Sequence, residues 1–315
     1  MNRKAVIFGI KGYILTSKEK KLFKSSKPWG VILFSRNIKN IVQLKKLIDD
    51  IRRILKDKNY PVLIDQEGGT VSRLDKILDF SSFSQAYHGQ LYNKDKKTFN
   101  KRYEIYINTV CDLLKNIGIN INTIPVLDVK RKKSHGIIGN RAFSSKPSDV
   151  IKLGNLCINL YRKNRIGTVI KHIPGHGLSR CDSHYETPII NANKSELIRK
   201  DFKTFKNNKS PFAMTAHVIY STYDPYNTAT HSKIIINDVI RKNINFKGIL
   251  MSDDISMKAL KYNLEENAIK ALYSGCNLVL HCNGDIKEMY RLTKVIPKID
   301  KFTQKKTSHF YKFLG

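Results

Sequence analysis

Three short stretches of the 315-residue chain gather groups that move protons, attack carbon or grip hydroxyls. The densest runs from Lys171 to His184, in the segment KHIPGHGLSRCDSHYETP, whose Gly and Pro content marks a shaped loop rather than a helix. Asp182 and His184 stand two residues apart, close enough to hydrogen-bond across a turn, and an Asp–His pair supplies a proton donor tunable near neutrality. His184 is read as functional, His176 as a hydrogen-bonded structural residue. His172, His176, Asp182 and His184 also form a possible metal ligand set, so a metal-dependent barrel hydrolase built on residues 171–184 is the rival reading. Lys171 would oppose a cation there, and the best-attested two-His zinc motif lies on a helix. No metal or other cofactor is expected.

The second stretch, DQEGGTVSRL, opens with Asp65 directly after the apolar Val62-Leu63-Ile64. Gly68-Gly69 permits a tight turn, and a carboxylate in this place can accept two sugar hydroxyls. Arg73 is placed to touch the same ligand or to pair with Asp65. The third, GILMSDDISMKAL, ends an apolar strand in two adjacent carboxylates, Asp253 and Asp254. Neighbouring side chains of a strand point to opposite faces. One Asp therefore faces inward, as a glycosidase nucleophile does, while the other orients a neighbour or caps the next helix.

These groups need a scaffold that brings strand ends together. Short β-branched runs at 6–10, 31–34, 62–65, 119–123, 168–172, 212–217, 248–253 and 278–282 alternate with helical-period segments at 42–55, 99–117, 150–163, 196–207, 234–242 and 257–274. A weaker helix is predicted near 18–25, a final helical stretch at 285–310, and a cap at Ser195. Eight strands with interleaved helices predict an α/β fold, a single TIM-type (β/α)8 barrel spanning 1–315, with a doubly wound open sheet as the alternative. Asp65-Gln66-Glu67, Lys171-His172, His217 and Ser252-Asp253-Asp254 all close predicted strands, and a barrel collects such ends on one face.

The formal net charge is +31, from 57 Lys and Arg against 26 Asp and Glu. Such a balance raises nucleic acid as a partner. The basic residues are spread along the chain, the run Lys130-Arg131-Lys132-Lys133 is only four long, and no recognition motif accompanies it, so no nucleic-acid partner is expected. The apolar runs are too short to cross a membrane, so no membrane association is expected. The N-terminal run Ala5–Ile10 reads as a strand, not an export signal. Five cysteines without a CxxC pair fit free thiols in a reducing compartment; Cys181, in the richest loop, reads as a bystander. The expectation is a cytoplasmic monomer.

With IIGNRAFSS added, DQEGGTVSRL, KHIPGHG with DSHYETP, and MSDDISM resemble the bacterial β-N-acetylglucosaminidases of glycoside hydrolase family 3, of the single-domain cytosolic type that serves peptidoglycan recycling. The matches keep family order from about residue 5 to 285. The resemblance implies Asp253 as nucleophile, His184 as general acid/base and Asp182 as its orienting partner. It implies that Asp65, Arg73, Arg141, Lys171 and His172 bind a terminal N-acetylglucosamine, with N-acetylglucosaminyl-1,6-anhydro-N-acetylmuramoyl peptides as substrates. Thr70, Asn140 and Ile173 depart from the residues common in the family.

Overall fold

The computed structural model describes residues 1–131, 136, 138–179, 181–183 and 185–315. The apolar runs form β1 (Lys4–Gly9), β2 (Pro28–Leu33), β3 (Val62–Ile64), β4 (Ile121–Asn122), β5 (Gly167–Ile173), β6 (Phe212–Thr215), β7 (Ile249–Asp254) and β8 (Leu278–His281). Each strand lies parallel to its sequence neighbour. β8 returns to β1 with Val6 opposite Val279, which closes the sheet into a (β/α)8 barrel. Strands covered on both faces have no polar side, which is why they read as unbroken Ile, Val and Leu runs.

Helices fill the outer ring. The predicted short helix forms as Ser17–Ser26 because Thr16 and Glu19 make a reciprocal capping box. Ile41–Leu55 and Lys96–Ile117 start at Asn40 and Asp95 caps, and the second ends at Gly118 in the left-handed region. An unpredicted helix, Gln85–Lys94, precedes the latter. A Cβ on its Gly89 would lie 1.8 Å from the Phe143 carbonyl oxygen, so a glycine lets this helix press on the segment carrying Arg141.

Several expectations change. The cap predicted at Ser195 is made by Asn193, whose side chain accepts the Glu196 N–H while the Ser195 hydroxyl donates to Asn193. The stretch 196–207 is one α-turn, a wider turn over Leu197–Asp201 and a tighter one over Phe202–Phe205. The helix predicted from 257 starts at Leu264, capped by Asn263. Residues 255–262 turn instead, because Asn267 holds the Ile255 and Tyr262 carbonyls from below. The last stretch is two helices, Ile286–Val295 and Lys301–Leu314, interrupted near Pro297, which has no N–H to continue the first. β4 stops at Asn122 before Pro125, and pairing resumes where Leu127 N–H meets the Lys171 carbonyl. That detour carries Asp128 beside His172.

Candidate active site

A cavity of about 190 Å³ opens where the C-terminal strand ends converge, smaller than the roughly 300–1,000 Å³ of clefts that hold drug-sized ligands. Asp65, Arg73, Arg141, Lys171, His172 and Asp253 all line it. The fold thus brings together six of the eight residues singled out in the sequence. Asp182 is half-buried in the loop beside it, with the neighbouring Ser183 on the wall. His184 lies outside the described residues.

One wall is a chain of alternating charges. Arg73 Nη2 lies 3.1 Å from Asp65 Oδ2, and Asp65 Oδ1 meets Lys171 Nζ. Lys171 Nζ also lies 2.6 Å from Glu67 Oε1, and Glu67 takes two 2.8 Å hydrogen bonds from Arg141. Thr123 adds its hydroxyl to Asp65 at 2.5 Å. Lys171 and Glu67 are 2% and 1% exposed, so neither charge is tolerable alone and each is held by the other. Burial pushes both carboxyls up, but the cations outweigh it: Lys171 and Arg73 hold Asp65 far below the ordinary carboxylate range, and Arg141 and Lys171 lower Glu67. Of the two alternatives for Arg73, the pairing with Asp65 is seen, and Arg73 also lines the cavity.

A second wall hangs on Asp128, which the sequence reading passed over. Its carboxylate lies 2.7 Å from His172 Nδ1 and accepts the His172 N–H at 3.2 Å and the His176 N–H at 2.5 Å. Burial pushes Asp128 up; the two histidines bring it below its usual value. With Nδ1 facing this carboxylate, His172 turns Nε2 toward Arg141 Nη2 at 3.4 Å. His176 is buried beside it, held by its backbone and 3.4 Å from the Ser183 hydroxyl. Burial, then the neighbouring His172, lowers it to about 4, so it stays a neutral wall residue at neutral pH.

At the end of β7 the two adjacent carboxylates divide their work. Asp254 Oδ1 accepts from the Ser256 N–H and hydroxyl, and at 3.3 Å from the Cys282 N–H. Among the described residues, the Asp253 carboxylate takes a hydrogen bond only from the Asp254 N–H, at 2.8 Å, and otherwise faces the cavity. Burial disfavours its charge, but His217 and then His172 hold its pKa below the usual value. Asp253 is therefore an ionised, weakly solvated carboxylate with an open face, which suits a nucleophile. His217 does not line the cavity; it bridges Thr230 Oγ1 at 2.7 Å and the Asp254 carbonyl at 2.9 Å.

The loop after His176 closes one side. The Asp182 carbonyl accepts the Tyr185 and Glu186 N–H groups. Ala259 ties the loop down through Ser183 O at 3.2 Å and Thr187 Oγ1 at 2.8 Å. The non-helical 255–262 turn thus serves as an anchor for this loop. Gln85, also missed, donates to the Val126 and Arg141 carbonyls and sets the Arg141 segment over the cavity. Glu67 stands within a motif the sequence reading quoted, next to Asp65, and Asp128 follows an apolar run. The same strand-end argument extended past Pro125 finds it.

Residues 11–308 match the glycosyl hydrolase family 3 N-terminal domain. A β-hexosaminidase of Psychromonas ingrahamii is 35% identical over 285 residues, covering 88% of this chain and 82% of its own. A crystal structure of NagZ from Neisseria gonorrhoeae in complex with N-trifluoroacetyl-D-glucosamine superposes with a TM-score of 0.88 at 27% identity, over 98% of this chain and 90% of that one. The same protein in complex with zinc ion superposes at 0.87, with 27% identity, over 99% and 90%.

Proposed function

The chain belongs to glycosyl hydrolase family 3, and from that premise we propose that it is a retaining exo-β-N-acetylglucosaminidase in which Asp253 is the nucleophile. The β-hexosaminidase relatives support a β-N-acetylhexosaminidase. The single observation that carries the mechanism is the ionised Asp253 carboxylate with its free face on a sugar-sized cavity walled by Asp65, Arg73, Arg141, Lys171 and His172. Those side chains offer both donors and acceptors to hydroxyl groups, as a terminal sugar requires.

Asp253 attacks the anomeric carbon, and the C–O bond to the leaving sugar breaks as His184 gives that oxygen a proton. Water, losing a proton to His184, then cleaves the glycosyl–Asp253 ester with a second inversion. Asp182 orients the imidazole. The role of His184 rests on its Asp-Ser-His motif. No metal takes part. The substrates are N-acetylglucosaminyl-1,6-anhydro-N-acetylmuramoyl fragments of peptidoglycan, processed during recycling by a monomer in the cytoplasm. The small cavity, the family type and the unpaired cysteines support that reading.

Release of p-nitrophenol from its β-N-acetylglucosaminide, with the β-glucoside as control, tests the activity. Turnover of the glucoside alone refutes it. His184→Ala separates the acid/base role from metal ligation. It should lose about 10²–10⁴-fold on a natural disaccharide and far less on the activated aryl glycoside, which needs little proton assistance. Asp182→Ala should follow the same pattern more weakly. Equal losses on both substrates, with chelator sensitivity and zinc rescue, would establish the metallohydrolase instead.

A further inference from the structure

The formal net charge is +31. The mouth cavity is balanced, with Asp65, Asp253 and Asp254 among Arg73, Arg141 and Lys171. Parallel strands and returning helices put the C-termini of the helices that lead back to a strand, and the segments entering the strands, at the other end of the barrel. That end is rich in basic side chains. The outer helices finish on residues such as Arg53, Lys115, Lys163, Lys242 and Lys312, and the intervening segments add Lys56, Lys58, Arg165, Lys209 and Lys247. All ten side chains are exposed.

Two depressions lie in this end. One of about 440 Å³ is lined by Arg52, Lys58, Lys115, Lys163 and Arg165, the other, of about 700 Å³, by Arg162, Lys209, Lys247 and Lys306; neither has a carboxylate among its lining residues. The nearby acids are engaged: Asp50, Asp112, Glu104 and Asp238 pair with Arg53, Lys115, Lys163 and Lys242. Asp57 is paired with Arg3 and accepts the Tyr311 hydroxyl, and Asp300 caps the last helix. Helix dipoles favour cations at C-termini, which explains the preference at each helix but adds to the partner's attraction only within a turn.

We propose that this end of the barrel docks on an anionic phospholipid surface and leaves the active-site mouth facing water. The charges ring a whole end of the molecule rather than follow a groove, which complements a plane of headgroups. They are mostly lysines, flexible point charges suited to diffuse anions. A single-stranded nucleic acid would call for exposed aromatic platforms between the charges. Here Phe246 and Phe310 are buried, and only the edge residue Phe302, at 40%, is open among the phenylalanines beside the depressions with Lys306. Docking requires no spanning segment: among the described residues no helix is long and apolar enough to cross a membrane.

Cosedimentation of the full chain with vesicles of phosphatidylcholine, with or without phosphatidylglycerol, tests this. Binding is expected only to the phosphatidylglycerol vesicles and should fall steeply with added salt. Changing Lys56, Lys58, Lys209 and Lys247 to Glu should weaken it by at least about 10²-fold, while Lys39, Lys76, Lys258 and Lys261 to Glu, on loops at the mouth end, should cost far less. Unchanged aryl-glycoside turnover by the first variant certifies its fold, and the four matching Gln substitutions give a milder version if it does not express. Failure of the wild type to bind phosphatidylglycerol vesicles at low salt, or equal losses from both variant sets, overturns the proposal. So does displacement from the vesicles by substoichiometric single-stranded RNA, which would assign the face to nucleic acid.

Discussion

The two ends of the barrel handle charge in opposite ways. At the mouth, Arg73, Asp65, Lys171, Glu67 and Arg141 alternate in sign, and each buried charge is set against its neighbours. At the far end, Lys58, Arg165, Lys209 and Lys247 are exposed and spread without a matching set of acids. Buried charge is fixed in place and can recognise one molecule's hydroxyls; exposed charge is screened and mobile, and can only attract a broad surface. Substitutions at the two ends should therefore differ in kind.

The largest effect belongs to the mouth. Asp253→Asn should lower turnover by at least ~10³-fold while the sugar still binds, because it removes the covalent step; steady-state kinetics beside sugar-binding calorimetry would show it. A folded Asp253→Asn variant with near-normal turnover, and an inactive Asp254→Asn, would move the role one residue on. Glu67→Gln leaves Lys171 and Arg141 short of a buried counter-charge. It should cost about 3–5 kcal/mol of folding stability, readable from denaturant midpoints. A loss as small as a surface substitution gives would mean that the alternating chain is not a structural unit.

Lys171→Ala should raise the Kd for N-acetylglucosamine roughly 10–100-fold, the size expected for one charge-assisted hydrogen bond. Lys209→Ala, at the far end, should leave both Kd and turnover unchanged. Equal effects would erase the distinction drawn here. The smallest effect concerns pH. Burial holds His88, His176 and His231 neutral, each lowered to about 4. Unfolded histidine takes its proton near ~6.5, so between about 6.5 and 4 the unfolded chain binds more protons and stability falls as pH falls. His88, with neither ring nitrogen bonded among the described residues, sits between Phe83, Tyr103 and Tyr106. His88→Phe should flatten that slope in melting curves between pH 7 and pH 5; an unchanged slope would mean that the ring takes its proton alike in the folded and unfolded chain.

Much of this was legible before the structure. All eight strands stand near their predicted places because doubly buried strands need unbroken apolar runs, and the cavity-lining Asp65, Lys171, His172 and Asp253 stand out because polar groups closing such runs are costly without a purpose. Glu67 and Asp128 were not, for different reasons. Glu67 follows Asp65 by two residues, and only three-dimensional proximity to Lys171 and Arg141 gives it a role. Asp128 lies beyond Pro125, where the proline interrupts the strand pattern, and its partner His172 is far along the chain. Helix boundaries suffered where tertiary contacts override local pattern: 257–263 carries a helical period, yet its backbone is spent on Asn267 and on Ser183. The pairing of Asn193 with Glu196 was readable, but Ser195 offered a competing cap two residues on.

The central claim is that the Asp253 carboxylate becomes covalently joined to the sugar. A slow fluorinated N-acetylglucosaminyl fluoride, incubated with the enzyme and followed by proteolysis and tandem mass spectrometry, tests it most directly. The account predicts one glycosylated peptide, modified at Asp253, appearing with the loss of activity and vanishing as activity returns. An adduct at Asp254 would contradict it, as would steady turnover with no adduct and α-N-acetylglucosamine as the first-formed product.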